Sequence, residues 1–71
     1  MTPAQCRAAR ALLDWTQPRL AEEAKLGLST IVDFERQRRK TISGDATGSM
    51  RAALEAAGIE FIDGNGVMVR P

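Results

Sequence analysis

Two helix-start signals stand within the first eighteen residues: Thr2-Pro3, with Gln5 three places after the threonine, and Thr16-Gln17-Pro18. A threonine caps free amides, a proline in the first turn forfeits no internal hydrogen bond, and a glutamine three positions on completes a capping box. The chain is thereby cut into short helices from its start. The first is predicted over 2–13, with Ala9, Leu12 and Leu13 as its apolar face and Trp15 at the following turn as a core anchor. The second is predicted over 16–24, with Leu20, Ala21 and Ala24 as the buried stripe, Ala21 being small enough to admit another helix closely.

After Lys25, Leu26 and Gly27, a third helix is expected over 28–36, with Ile31 and Phe34 at the three-residue spacing that faces a core. Its other face carries Leu28, Ser29, Val32, Asp33 and Arg36. Leu28 and Val32 are four apart and so adjacent on the helix surface, where a free-standing helix prefers polar groups. Whether Val32 tucks inward is left open by the pattern. A fourth helix over 43–57 follows from Met50, Ala53, Leu54 and Ala57, with Gly58 as its terminator.

At Ile59 the apolar period changes to two, which predicts a β-hairpin: Ile59 and Phe61, a turn at Asp63, Gly64, Asn65 and Gly66, then Val67 and Val69. An isolated hairpin is marginal in water. It must pack on the helices, pair with a second copy, or both, and Ile59, Phe61, Val67 and Val69 are the dimerisation candidates. The expected fold is thus mainly α: a four-helix domain over 1–58, with the hairpin of 59–71 as a packing or dimerisation element of the same domain.

Seventy-one residues suffice for one modest core. The single Cys6 has no internal disulfide partner, and no apolar run approaches the roughly 20 residues that span a bilayer, so a cytoplasmic setting is expected. With no histidine, one cysteine and no glycine-rich phosphate loop, the chain lacks the usual general base, metal cluster or activated nucleophile. The expectation is a non-enzyme with no cofactor and no metal. Net charge is only +1, but Arg36, Arg38, Arg39 and Lys40 place four positive charges within five residues while the acids are spread along the chain.

The stretch from Thr16 to Arg36, TQPRLAEEAKLGLSTIVDFER, resembles the helix-turn-helix of the Cro and lambda-type repressor family, often called the XRE family. Gln17 opens the second helix, Leu20 and Ala21 occupy its buried positions, and Leu26 is the apolar residue of the turn. Ile31 and Phe34 anchor the third helix, and Arg10 with Glu35 matches a family ion pair. The wider stretch from Thr2 to Asp63, about nine tenths of the chain, resembles a small-regulator subgroup with motifs of the form DFER, LEAAG and EFI. The resemblance implies a lambda-repressor-like fold and a transcriptional regulator, a repressor in the first instance, that binds an inverted-repeat operator in double-stranded DNA as a homodimer. The chain departs from the family at Lys25 and Gln37, where glycine is usual, and at Gly27, where serine or threonine usually caps the recognition helix.

A helix of about ten residues fits the major groove while the preceding helix braces it across the backbone. In that pose Gly27 lets the main chain come close, Leu28 and Val32 can touch thymine methyl groups, and Ser29 can donate or accept. Asp33 can accept from cytosine N4 or cap a neighbouring helix, and Arg36 can grip guanine or a phosphate. Phosphates would fall to Thr16 and Gln17 at the amide end of the second helix, to Arg19, and to Arg36, Arg38, Arg39 and Lys40 beyond the third. Arg10 and Glu35 are expected to hold the first helix to the third. The competing expectation is a protein-interaction module, antitoxin-like or antiactivator-like, that binds a partner protein through Leu28 and Val32 or the hairpin edge. A membrane role is not expected, because no helix pairs a basic face with a broad apolar one.

Overall fold

The computed structural model describes residues 1–36 and 43–71. Four helices, α1 (Pro3–Leu13), α2 (Gln17–Ala24), α3 (Leu28–Arg36) and α4 (Gly44–Ala56), precede an antiparallel hairpin of β1 (Ile59–Ile62) and β2 (Gly66–Val69). The mainly helical class with a terminal hairpin is therefore as expected, with element ends within a residue or two. Gln37 and the Arg38, Arg39, Lys40 run, with the connection expected at Thr41, lie outside the described residues.

The helix starts follow the capping chemistry. Thr2 accepts from the Gln5 amide at 3.1 Å while the Gln5 side chain accepts from the Thr2 amide at 2.8 Å, so the capping box is closed. The Thr16 hydroxyl accepts from the Arg19 amide, and the Ser43 hydroxyl from the Ala46 amide, each at 3.1 Å. Two helix ends share one device: Asp14 after α1 and Lys25 after α2 adopt the left-handed conformation, with φ of 58° and 59°. The next amide then reaches back five residues, Trp15 to the Arg10 carbonyl and Leu26 to the Ala21 carbonyl, each at 2.9 Å. A non-glycine residue in this region costs on the order of 1 kcal/mol. The compensation is visible, since Trp15 and Leu26 are both partly buried against the core.

That core consists of Cys6 and Ala9 from α1, Leu20, Ala21 and Ala24 from α2, Ile31 from α3, Met50 and Leu54 from α4, and Ile59 from β1. Two apolar expectations are corrected. Leu12 is 50% exposed: Cys6, Ala9 and Leu13 define the inward stripe of α1, and Leu12 lies about 100° round the helix from Leu13. Ile59, named as a dimerisation candidate, is 1% exposed, and Phe61 and Val67 pack against the same core. The cause is register: Ile59 pairs with Val69 and Phe61 with Val67, so all four share the face that covers the helices. Of the four only Val69, at the strand end, is left exposed, and the large apolar residues of the opposite face, Ile62 and Met68, are exposed instead.

The turn is one residue shorter than expected. Asp63, Gly64 and Asn65 form it, with Gly64 at φ 84°, and Gly66 already pairs with Ile62. A Cβ at Gly66 would stand 2.9 Å from the Ile62 Cβ, so the pair admits glycine alone without displacement. Gln5 clamps this end of the hairpin to α1: its buried amide donates to the Ile62 carbonyl at 3.0 Å and the Gly66 carbonyl at 2.9 Å. The Thr2 hydroxyl adds a hydrogen bond of 2.6 Å to the Asn65 amide oxygen. At the other end Arg70 extends the ladder through its amide to the Gly58 carbonyl, and its guanidinium donates to the Glu55 carbonyl at the end of α4.

Replacing Gln5 by Glu keeps the acceptor of the capping box but removes both donors and sets a carboxylate against two carbonyl oxygens. Chemical denaturation at neutral pH should show Gln5→Glu less stable by about 2–4 kcal/mol. A change within 0.5 kcal/mol, on the scale of an ordinary surface substitution, would show that the hairpin does not depend on this clamp.

Candidate nucleic-acid interface

The candidate surface is built on α2, the turn at 25–27, and α3. One side of α3 is committed to the interior, where Ile31 and Glu35 are buried and Phe34 packs against the core. The other side presents Leu28, Ser29 and Arg36 as exposed residues, with Val32 and Asp33 half-buried. Val32 is half-buried without joining the residues packed on the core, and Leu28 stays 45% exposed. Gly27 precedes α3 as an exposed residue, and its carbonyl accepts from the Thr30 amide at 3.1 Å. A Cβ at Gly27 would meet nothing nearer than the Ser29 hydroxyl at 4.0 Å, so packing against its own chain does not require glycine there.

What holds α3 in place is a buried carboxylate. Glu35 is 3% exposed and receives Arg10 bidentately, through Nε on Oε2 and Nη2 on Oε1, each at 2.7 Å. Gln17 donates to Oε1 at 3.0 Å, and the Cys6 thiol donates to Oε2 at 3.0 Å. Arg10 spends its remaining nitrogen on the Trp15 carbonyl at 3.1 Å, and Arg7 caps the end of α3 by donating to the Glu35 carbonyl. Among the described residues no buried side-chain nitrogen or oxygen lacks a partner.

Burial pushes the Glu35 pKa up, but the hydrogen bonds from Arg10, then those from Cys6 and Gln17, outweigh it and hold the carboxyl below its usual range. Burial pushes the Cys6 thiol up, and its hydrogen bond to Glu35 pushes the same way, so it stays a neutral donor.

The residues expected at the phosphate backbone divide. Thr16 and Arg19 are exposed at the start of α2, but Arg19 is occupied by Glu23 at 2.9 Å and lies over the Trp15 ring at 4.9 Å. Gln17 turns its amide inward to Glu35, so its side chain is a brace within the fold, and only its main chain remains at the amide end of α2. Arg36 is exposed. Arg38, Arg39 and Lys40 lie outside the described residues. The Arg10–Glu35 pair stands as expected. The contributions of Cys6, Arg7 and Gln17 have no local signal in the sequence beyond the four-residue spacing that sets Cys6 and Arg10 on one helix face.

No protein-family model matches the chain, and no curated protein matches it at a significant level. Among the described residues no helix is long and apolar enough to cross a membrane.

Because the native carboxyl is depressed, its contribution to stability is complete above the unfolded value of about 4.3 and is lost as pH falls through the lower native value. Glu35→Gln should cost about 3 kcal/mol at pH 7, where it leaves Arg10 without its counter-charge. The stability difference from the parent protein should narrow as pH is lowered below about 4. Parallel stability curves across that range would show that the carboxylate charge is not what holds α3.

Proposed function

We propose that the chain is a sequence-specific double-stranded DNA-binding regulator, a repressor in the first instance, of the Cro and lambda-type helix-turn-helix kind that its sequence resembles. It acts in the cytoplasm as a homodimer on an inverted repeat. One observation carries the reading: α3 is braced from behind by four hydrogen bonds on one buried carboxylate, while Leu28, Ser29 and Arg36 stand exposed on its other side. A helix of nine residues is about 14 Å long, short enough to lie in the major groove, and α2 precedes it across a three-residue turn.

On this reading the first turns of α3 face base edges, and the amide end of α2 at Thr16 and Gln17 faces phosphate. Arg36 and the Arg38, Arg39, Lys40 run supply most of the charge for the backbone. Homodimerisation falls to Ile62 and Met68 on the outer face of the hairpin and to Val69 at its strand end, since Ile59 is consumed by the protomer's own core.

The exposed Leu28, Ile62 and Met68 also support the second reading, a module that binds a partner protein through these apolar residues. DNA binding at low salt separates the two. Selection from a random duplex pool should enrich an inverted repeat with half-sites about one DNA turn, roughly 34 Å, apart. Arg38→Ala should then weaken binding to selected and random DNA alike and reduce the salt slope by about one. No binding even at low salt would overturn the DNA reading in favour of the protein partner.

A further inference from the structure

The chemistry of the exposed α3 face restricts what it can read. Purines in the major groove are picked out by paired hydrogen bonds, guanine by Arg or Lys and adenine by Asn or Gln. The positions that α3 presents in its first two turns are Leu28, Ser29, Val32 and Asp33, and none is of those four types. Arg36 stands in the last turn, two helical turns beyond Leu28 and about 12 Å along the axis. Ser29 hydrogen-bonds to any base edge and discriminates little.

Asp33 can accept only from a cytosine N4, which 5-methylcytosine carries as well, so it does not sense the methyl, and the rest of the face is apolar. Leu28 is 45% exposed at the first helical position, with Val32 half-buried one turn on, so the two form an apolar strip that the core does not use. The major groove offers one apolar group, the methyl on C5 of a pyrimidine, which in DNA belongs to thymine or 5-methylcytosine.

We infer that the Leu28–Val32 strip is a reader of C5-methyl groups, so that binding depends on the methyl itself and accepts 5-methylcytosine in preference to unmodified cytosine. The inference rests on the proposed placement of α3 in the major groove. It extends that placement to a chemical class of ligand: the strip contacts the methyl and leaves the rest of the pyrimidine edge unread. Thymine against uracil, and 5-methylcytosine against cytosine, are then the same distinction for this protein. Leu28 supplies most of the contact because it is the more exposed of the two.

The test needs no knowledge of the operator. Binding of the full-length chain is measured at low salt on alternating poly(dA-dT) and poly(dA-dU), and on poly(dG-dC) with and without C5 methylation. Each methylated duplex should bind about fourfold more tightly per contacted methyl, the value of one buried methyl-sized group. Most of the preference should be lost in Leu28→Ala, whose side chain is exposed enough that the fold survives. Uracil and methylation also alter duplex shape, so a preference that persists undiminished in Leu28→Ala would overturn the assignment to this strip. Binding to all four duplexes with no methyl preference would overturn the inference and leave the DNA-binding reading standing. No binding to any of them would remove both.

Discussion

The carboxylate of Glu35 is an expensive group to bury, and much of the domain's geometry answers to it. It sits in the last turn of α3, where the helix dipole disfavours negative charge, and it is removed almost wholly from water. It stays ionised because α1 sends Arg10 and Cys6 to it and α2 sends Gln17. Each of these hydrogen bonds has a geometric requirement, so satisfying the charge sets the positions of three helices at once. An apolar residue at this site would demand only contact, and a packing of Leu20, Ile31 and Met50 alone would tolerate sliding that the carboxylate forbids. The recognition surface proposed for α3 inherits its orientation from that network.

A second polar clamp is anchored on the residue of α1 next to Cys6. Gln5 uses its carbonyl oxygen in the capping box of α1 and its amide nitrogen on two carbonyls of the hairpin, so one side chain both starts a helix and fixes a turn. A two-stranded sheet contributes little on its own. Ile59 reaches the core, and Gln5 prevents the loop end from peeling away while Arg70 holds the other end to α4. The inner face of the hairpin is thereby spent within the protomer. An apolar contact of the hairpin with another molecule is left to Ile62, Met68 and Val69.

Local chemistry made much of this legible in the sequence. Thr2 and Thr16 announce helix starts because their oxygens satisfy amides within the same turn, and Gly58 ends α4 with its positive φ of 105°. The change of period at Ile59 located the hairpin. Long-range partners were harder. Gln5 reads as a capping residue from its position after Thr2, and nothing local says that its other end meets residues 62 and 66. Gln17 likewise reads as an exposed polar residue at a helix start until the approach of α3 brings Glu35 within 3.0 Å. The side of the hairpin that turns inward also escaped: alternation shows which residues share a face, and only packing decides which face is covered.

These assignments bear on how a chain of net charge +1 would meet DNA. Salt screens exposed charges beyond about 10 Å, so a nearly neutral total says little about the field at one helix. On α2, Glu23 is taken up by Arg19, and on α4, Glu55 by Arg51, each across one helical turn. Glu35 is neutralised inside by Arg10. These acids are therefore largely cancelled where they stand, while Arg36 is exposed at the end of α3 and the sequence places Arg38, Arg39 and Lys40 directly after it. On the proposed reading attraction is concentrated at the trailing end of the recognition helix, and its leading end, with Leu28, is left to sense shape and methyl groups without a charge of its own. Affinity would then rest on Arg36 and the basic residues that follow it in the sequence, and selectivity on Leu28 at the start of α3, so that each can change by substitution with little effect on the other.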